Sequence, residues 1–124
     1  MGRLAVVTGG TRGIGEAIAL LLKESGYQVV ANYGSNDDRA KAFEQAAGIP
    51  IKKFDVSDFE SCRQAIDEIV TEHGPIDIVV NNAGVTRDST LHKMPPENWQ
   101  TVIQTNLSSC YNMSRCVIEG MRAR

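Results

Sequence analysis

Apolar and polar positions alternate along the chain in two different rhythms. Leu4-Ala5-Val6-Val7 is an unbroken apolar run that stops at Thr8-Gly9-Gly10, the pattern of a strand buried on both faces. Ile14, Ala17, Ile18, Leu21 and Leu22 then recur at helical spacing, and Gly26 follows as a left-handed cap. Gln28 to Ala31 predicts a second strand, Asn32 to Asp38 a polar turn, and Arg39 to Ala47 a second helix stopped by Gly48-Ile49-Pro50. Ile51 to Phe54 predicts a third strand. Ser57 and Asp58 are both good N-cap types, and Phe59, Cys62, Ile66, Ile69 and Val70 form the stripe of a third helix. Gly74-Pro75 breaks it, and Ile76 to Val80 predicts a fourth strand with Asp77 its only charge. Residues 83–95 are a long connection. A last helix starts at Pro96 and carries Trp99, Val102, Ile103, Asn106, Cys110, Met113 and Val117 at three- and four-residue steps.

The order is therefore β-α-β-α-β-α-β-α without any internal repeat. Strands alternating with helices imply parallel pairing and right-handed crossovers, because each helix must return the chain to the same end of the sheet. The expected fold is α/β: a Rossmann-type doubly wound parallel sheet with strand order 3-2-1-4 between two helical layers. Its 124 residues are enough for one domain with a real core.

Charge and composition narrow the function. Thirteen basic and fifteen acidic residues give a net charge of −2 with no basic block, so a nucleic-acid partner is not expected. The longest apolar run, Ala17 to Leu22, is far too short to span a membrane, and Met1 leads straight into Gly2-Arg3 with no signal peptide pattern. Cys62, Cys110 and Cys116 are odd in number and lack a Cys-x-x-Cys pair, so no disulfide framework and no metal site is expected. A cytoplasmic setting is the simplest reading.

The segment with the clearest chemistry is Thr8-Gly9-Gly10-Thr11-Arg12-Gly13-Ile14-Gly15, between the first strand and the first helix. Gly9 permits a tight turn, Gly13 lets a ligand come close, and Gly15 lets the helix lie against the sheet. The helix start then offers free N–H groups and a positive dipole end to a pyrophosphate. No Gly-Lys-Ser/Thr follows, so it is not a Walker A loop.

This Thr-Gly-x-x-x-Gly-x-Gly pattern resembles the cofactor loop of the short-chain dehydrogenases/reductases. Asp55-Val56 after the third strand is similar to that family's adenine-side Asp-Val. Asn81-Asn82-Ala83-Gly84 matches its Asn-Asn-Ala-Gly, and Asn106 matches the asparagine of its catalytic tetrad. The resemblance implies cofactor contacts from Gly9, Thr11, Arg12, Gly13, Ile14 and Gly15. It implies others from Gly34 and Arg39, from Asp55 and Val56, and from Asn82, Ala83, Gly84, Val85 and Thr86. For Asn106 it implies a water held in a proton relay. The run Asn82-Ala83-Gly84-Val85-Thr86-Arg87-Asp88 is similar to the 3-oxoacyl thioester reductases, with Asp88 on the substrate side. Val117-Ile118-Glu119-Gly120-Met121 resembles acetoacetyl-CoA reductases first and 3-oxoacyl-[acyl-carrier-protein] reductases second. The implied reaction is hydride transfer from NADPH to the 3-keto group of a small acyl thioester.

The cofactor can also be argued from charge. An NAD-specific site of this type places an acid at the end of the second strand to accept from the ribose 2′-hydroxyl. Here that end reads Ala31-Asn32-Tyr33-Gly34, without an acid, while Arg12 and Arg39 can pair with a 2′-phosphate. NADP(H) is therefore expected, with Asp37 and Asp38 as the opposing charges. The family's serine and Tyr-x-x-x-Lys would lie beyond Arg124. Tyr111-x-x-x-Arg115 imitates the latter on the wrong helix, and Arg cannot relay a proton as a shifted lysine does. The expectation is the N-terminal half of such a domain, residues 1–124, inactive alone without its C-terminal half. Two other readings stand beside the enzyme: a non-catalytic nucleotide-binding module and a structural partner of another chain. The apolar edge of Ile76 to Val80 and the stripe through Trp99 and Met113 predict a homo-oligomer.

Overall fold

A computed structural model describes residues 2–124. Four strands form one sheet: β1 (Leu4–Val7), β2 (Gln28–Tyr33), β3 (Ile51–Lys53) and β4 (Ile78–Val80). They pair in parallel, as the alternation of elements requires, and stand in the expected order β3-β2-β1-β4. Helices α1 (Gly13–Glu24) and α2 (Asp37–Ala47) supply one covering layer, and α3 (Phe59–His73) and α5 (Ser109–Ala123) the other. Between β4 and α5 run a short 3₁₀ turn, Leu91–Lys93, helix α4 (Pro96–Ile103) and a π-helical turn, Gln104–Ser108.

Successive strand residues point to opposite faces, so one strand feeds two cores. Leu4, Val6 and Val30 pack with Cys62, Ile66 and Ile69 of α3 and Met113 and Val117 of α5. Val7, Val29 and Ala31 pack with Ala19 of α1 and Phe43 of α2. This is why β1, β4 and the middle of β2 read as apolar runs, whereas the edge strand β3 is Ile51 followed by two lysines, contrary to the expectation that every strand is apolar throughout. Helix ends follow local chemistry. Asn36 caps α2 by accepting from Arg39 N at 3.1 Å, Asp58 caps α3 by accepting from Glu60 N at 3.3 Å, and Gly48 closes α2 at φ 68°. Gly26, at φ 96°, follows α1 as expected.

The expected turn over Asn32 to Asp38 shrinks to residues 34–36, because β2 runs on to Tyr33 and α2 starts at Asp37, and β3 stops at Lys53 rather than Phe54. Four further expectations need correction. The inward face of α1 is Gly15, Ile18, Ala19 and Leu22, whereas Ile14 and Leu21 are 75% and 63% exposed. The reason is Gly15: its missing Cβ lets α1 sit on the carbonyl of Gly9, and that contact fixes the rotation of the helix. Val70 of α3 also faces outward. The fourth strand starts at Ile78 rather than Ile76, because the Asp77 carboxylate accepts from Leu4 N at 3.0 Å in place of a ladder bond. The last helix is not continuous. The π turn rotates the residues beyond it, so the inward face of α5 is Ser109, Asn112, Met113 and Val117, while Trp99 upstream is 55% exposed.

Candidate functional site

The carboxyl ends of the four strands converge on one edge of the sheet, where a doubly wound fold opens its ligand crevice. A cleft of about 590 Å³ lies there, floored by the glycine loop and walled by the chain after β2, β3 and β4. Two buried polar side chains hold that floor in place. Asn32, 2% exposed, accepts from Gly9 N at 3.0 Å and donates to Phe54 O at 3.0 Å, which joins the ends of β2 and β3 to the loop. Thr8 Oγ1 accepts from Asn82 N at 2.9 Å and Ala83 N at 3.0 Å, and the Asn82 amide donates back to Thr8 O and Gly9 O at 3.1 and 3.2 Å. Sequence patterning singles out neither Asn32 nor Thr8 as a site residue. The signal for them lies in the glycine loop itself: a buried loop needs partners for its backbone groups.

The loop geometry suits a phosphate. Gly9 and Gly13 have φ of 60° and 57°, values that favour glycine. A Cβ on Gly13 would meet no protein atom, so its outer side is open. A Cβ on Gly15 would collide with the Gly9 carbonyl and come within 2.5 Å of Asn82 Nδ2, so this glycine is required by packing. Unlike α2 and α3, α1 has no side-chain cap, and its first intrahelical bond is Glu16 N to Arg12 O at 3.1 Å. Its leading N–H groups therefore remain available to an anion.

The structure brings most of the expected residues to this cleft. Gly9, Thr11, Arg12, Gly34, Arg39, Asp55 and Val56 line it, as do Asn82, Ala83, Gly84 and Val85. Gly13, Ile14 and Gly15 form the start of α1 behind or beside it rather than its lining. Thr86 and Asp88 lie farther along. A second depression is lined by Arg12, Thr86, Arg87 and Asn106, and a third by Asp88, Met94, Trp99 and Val102. The first and second share Arg12, Gly84 and Val85, and the second and third share Val85, Thr86, Arg87 and Asn106, so the three form one trough.

Electrostatics differ along the trough. Arg12 and Arg39 make no salt bridge among the described residues. Asp37 is engaged: Tyr33 OH donates to it at 3.1 Å and Lys53 Nζ lies 3.2 Å away. The Lys53 and Tyr33 hydrogen bonds hold its carboxyl below the usual range. Burial, followed by the bond to Asp37, pushes the Tyr33 hydroxyl up. Asn106, within the π turn, accepts from Val85 N at 2.7 Å and donates to Val85 O at 2.9 Å. No group of three or more candidate ligands for a metal occurs among the described residues. No described helix is long and apolar enough to cross a membrane.

Residues 3–124 match the family model described as short chain dehydrogenase. The chain belongs to the short-chain dehydrogenase family. Over its whole length it is 55% identical to an acetoacetyl-CoA reductase of Rhizobium meliloti and 51% identical to one of Shinella zoogloeoides, covering 52% of each. It is 39% identical over 126 aligned positions to a 3-oxoacyl-[acyl-carrier-protein] reductase of Staphylococcus epidermidis, covering 98% of this chain and 52% of that one. The chain thus spans about half the length of the curated relatives it matches. Among solved structures, a double mutant of the Serratia marcescens short-chain dehydrogenase/reductase superposes with a TM-score of 0.91 at 31% identity, over 98% of this chain and 51% of that one. The serine dehydrogenase of Escherichia coli superposes with a TM-score of 0.85 at 32% identity, over 95% of this chain and 56% of the other.

Proposed function

We propose that this chain is the cofactor-binding portion, residues 1–124, of an NADPH-dependent reductase acting on 3-oxoacyl-CoA thioesters, with acetoacetyl-CoA as the substrate. The observation that carries the cofactor reading is the end of β2. No acid stands there, Arg12 and Arg39 line the cleft beside it without salt bridges, and the nearby Asp37 is bound to Lys53. A 2′-phosphate meets two planar cations there, and no carboxylate stands between Ala31 and Asn36 to accept from a 2′-hydroxyl. The substrate reading is supported by 51–55% identity to acetoacetyl-CoA reductases across the chain, against 39% for the carrier-protein reductase.

The residues divide the work along the trough. Gly9 and Gly13 keep the loop flat, and the uncapped start of α1, from Gly13 through Ile14 to Gly15, takes the pyrophosphate. Arg12, Gly34 and Arg39 take the phosphorylated ribose, and Asp55 and Val56 border the adenine. Asn82, Ala83, Gly84, Val85 and Thr86 carry the path towards the reacting end. Bound there, NADPH would supply the hydride. Asp88 stands at the substrate side. Asn106 pins Val85 with one donor and one lone pair, which leaves its second N–H and lone pair for a relay water.

No tyrosine or lysine lines the two depressions that hold Asn106, and the amide cannot release a proton near neutral pH. A general acid contributes about 10²–10⁴ in rate and an oxyanion donor about 10²–10³. The 124-residue chain alone should therefore bind NADPH without turnover. Following NADPH absorbance with acetoacetyl-CoA and with acetoacetyl carrier protein tests both points. The whole protein should consume NADPH faster with the CoA ester, and the 124 residues alone should not consume it. A preference for carrier protein would overturn the substrate reading. Turnover by the chain alone would show that the proton donor lies within it.

A further inference from the structure

Tyr33 and Lys53 are register partners on β2 and β3. Their side chains meet on the same carboxylate, Asp37, in the first turn of α2: Tyr33 OH donates to Oδ1 at 3.1 Å, and Lys53 Nζ lies 3.2 Å from Oδ1 and 3.4 Å from Oδ2. Tyr33 lines the cleft, as do Ser35, Asn36 and Arg39 around it. Asp37 is thus seated between cleft-lining neighbours, one residue after Asn36. Both partners are about half exposed, at 52% and 49% of the side chain, and such a pair adds little to fold stability. Its effect is on the field at the mouth of the cleft. Lys41 adds a weaker positive field to the same carboxylate, and Glu44 a negative one to Tyr33.

We propose that Lys53, by pairing with Asp37, sets the cofactor preference of the cleft: it cancels the carboxylate beside the acid-free end of β2, and so admits a 2′-phosphate. This inference rests on the NADP(H) reading above and extends it to a residue outside the cleft lining. Asp37 stands behind the cleft lining, and uncancelled it would join Asp38, which makes no salt bridge among the described residues, in repelling a phosphate dianion. Lys53 is therefore a positioning residue acting through charge, with Tyr33 fixing the carboxylate's direction. Its effect depends on the net charge of the pair: neutral as found, negative without Lys53, positive without the charge of Asp37, and neutral again without both.

Calorimetric titration of the whole protein with NADPH and NADH at low ionic strength reads the ratio of the two dissociation constants. Lys53→Met should reduce the preference for NADPH by about 3- to 10-fold, with a smaller effect at high salt. Lys53→Arg should keep the wild-type ratio. Asp37→Asn should move the ratio toward NADPH, and the double variant carrying Lys53→Met and Asp37→Asn should return to within about twofold of wild type. A merely structural role for Lys53 would leave the double variant no better than Lys53→Met. That result, or an unchanged ratio in Lys53→Met, would overturn the proposal. Because each variant is compared with wild type, the shift is read whichever cofactor wild type prefers. An NADH preference in wild type with a normal Lys53→Met shift would sink the NADP(H) reading alone.

Discussion

Asn32 makes four uses of one buried carboxamide and backbone. Its Oδ1 accepts from Gly9 N, its Nδ2 donates to Phe54 O and Tyr33 O, and its carbonyl accepts from Gly10 N. Asn32→Asp keeps the shape but turns a donor into a charge facing the Phe54 carbonyl. The expected loss is about 1–3 kcal/mol for the unmade bond, with a further cost for burying the charge. Thermal or denaturant unfolding at neutral pH checks it, and an unchanged midpoint would contradict the role given to Asn32. Cys62 is fully buried and donates weakly to Val56 O at 3.5 Å; burial above all pushes its thiol from 9.0 up to about 12. The folded state then keeps a proton that the unfolded chain has lost. Its contribution is whole below pH 9.0 and is lost as pH rises towards about 12, at up to ~1.4 kcal/mol per pH unit. Cys62→Ala should flatten that alkaline limb of the stability curve, and a thiol reagent at neutral pH should label Cys110 and Cys116 before Cys62. At this scale the sequence shows which residues are polar but not which are buried: Asn32 is legible only as the absence of an acid.

At the scale of elements, the strands and the caps are legible because their causes are local. Asp58, Gly26 and Gly48 do what their residue types favour wherever they occur, whereas the cap at Asn36 is hidden in the polar run Asn32 to Asp38. The inward face of α1 is not, because Gly15 decides it and a glycine carries no hydrophobic signal. Gly15→Ala should force α1 off the Gly9 carbonyl and weaken NADPH binding together with stability; native melting and affinity in this variant would show that the contact does not set the helix. The π turn is invisible for a similar reason, since one added residue in a turn leaves the composition unchanged while rotating everything after it. Its consequence is the clamp of Asn106 on Val85, whose backbone N–H and C=O both bond to one side chain. In Asn106→Ala these two groups lose their partner, at a cost of about 1–2 kcal/mol. Hydrogen exchange at the Val85 amide should rise, while amides in β1 stay protected. Equal protection in both proteins would show that the loop is held by something else.

For the molecule as a whole, the alternation of strand and helix restricts the sheet to a few parallel orders with right-handed crossovers, and the glycine loop after β1 favours β3-β2-β1-β4 among them. The location of the cleft comes from that order. The facing of α4 and α5 does not, since the π turn between them sets it. Trp99, Leu107 and Tyr111 are 55%, 64% and 63% exposed, and β4 pairs on one side only. Apolar surface of this kind and an open strand edge favour association. Sedimentation of the 124-residue chain should show dimers or larger species, which Leu107→Asp should reduce; a clean monomer at high concentration would contradict this. For the cleft, the deciding measurement is a paired titration of wild-type protein with NADPH and NADH, repeated on Arg39→Ala. Charge-assisted bonds of about 1.5–3 kcal/mol each predict NADPH tighter by at least tenfold in wild type, with most of that preference lost in Arg39→Ala and NADH affinity nearly unchanged. Equal affinities in wild type, or tighter NADH, would contradict the account.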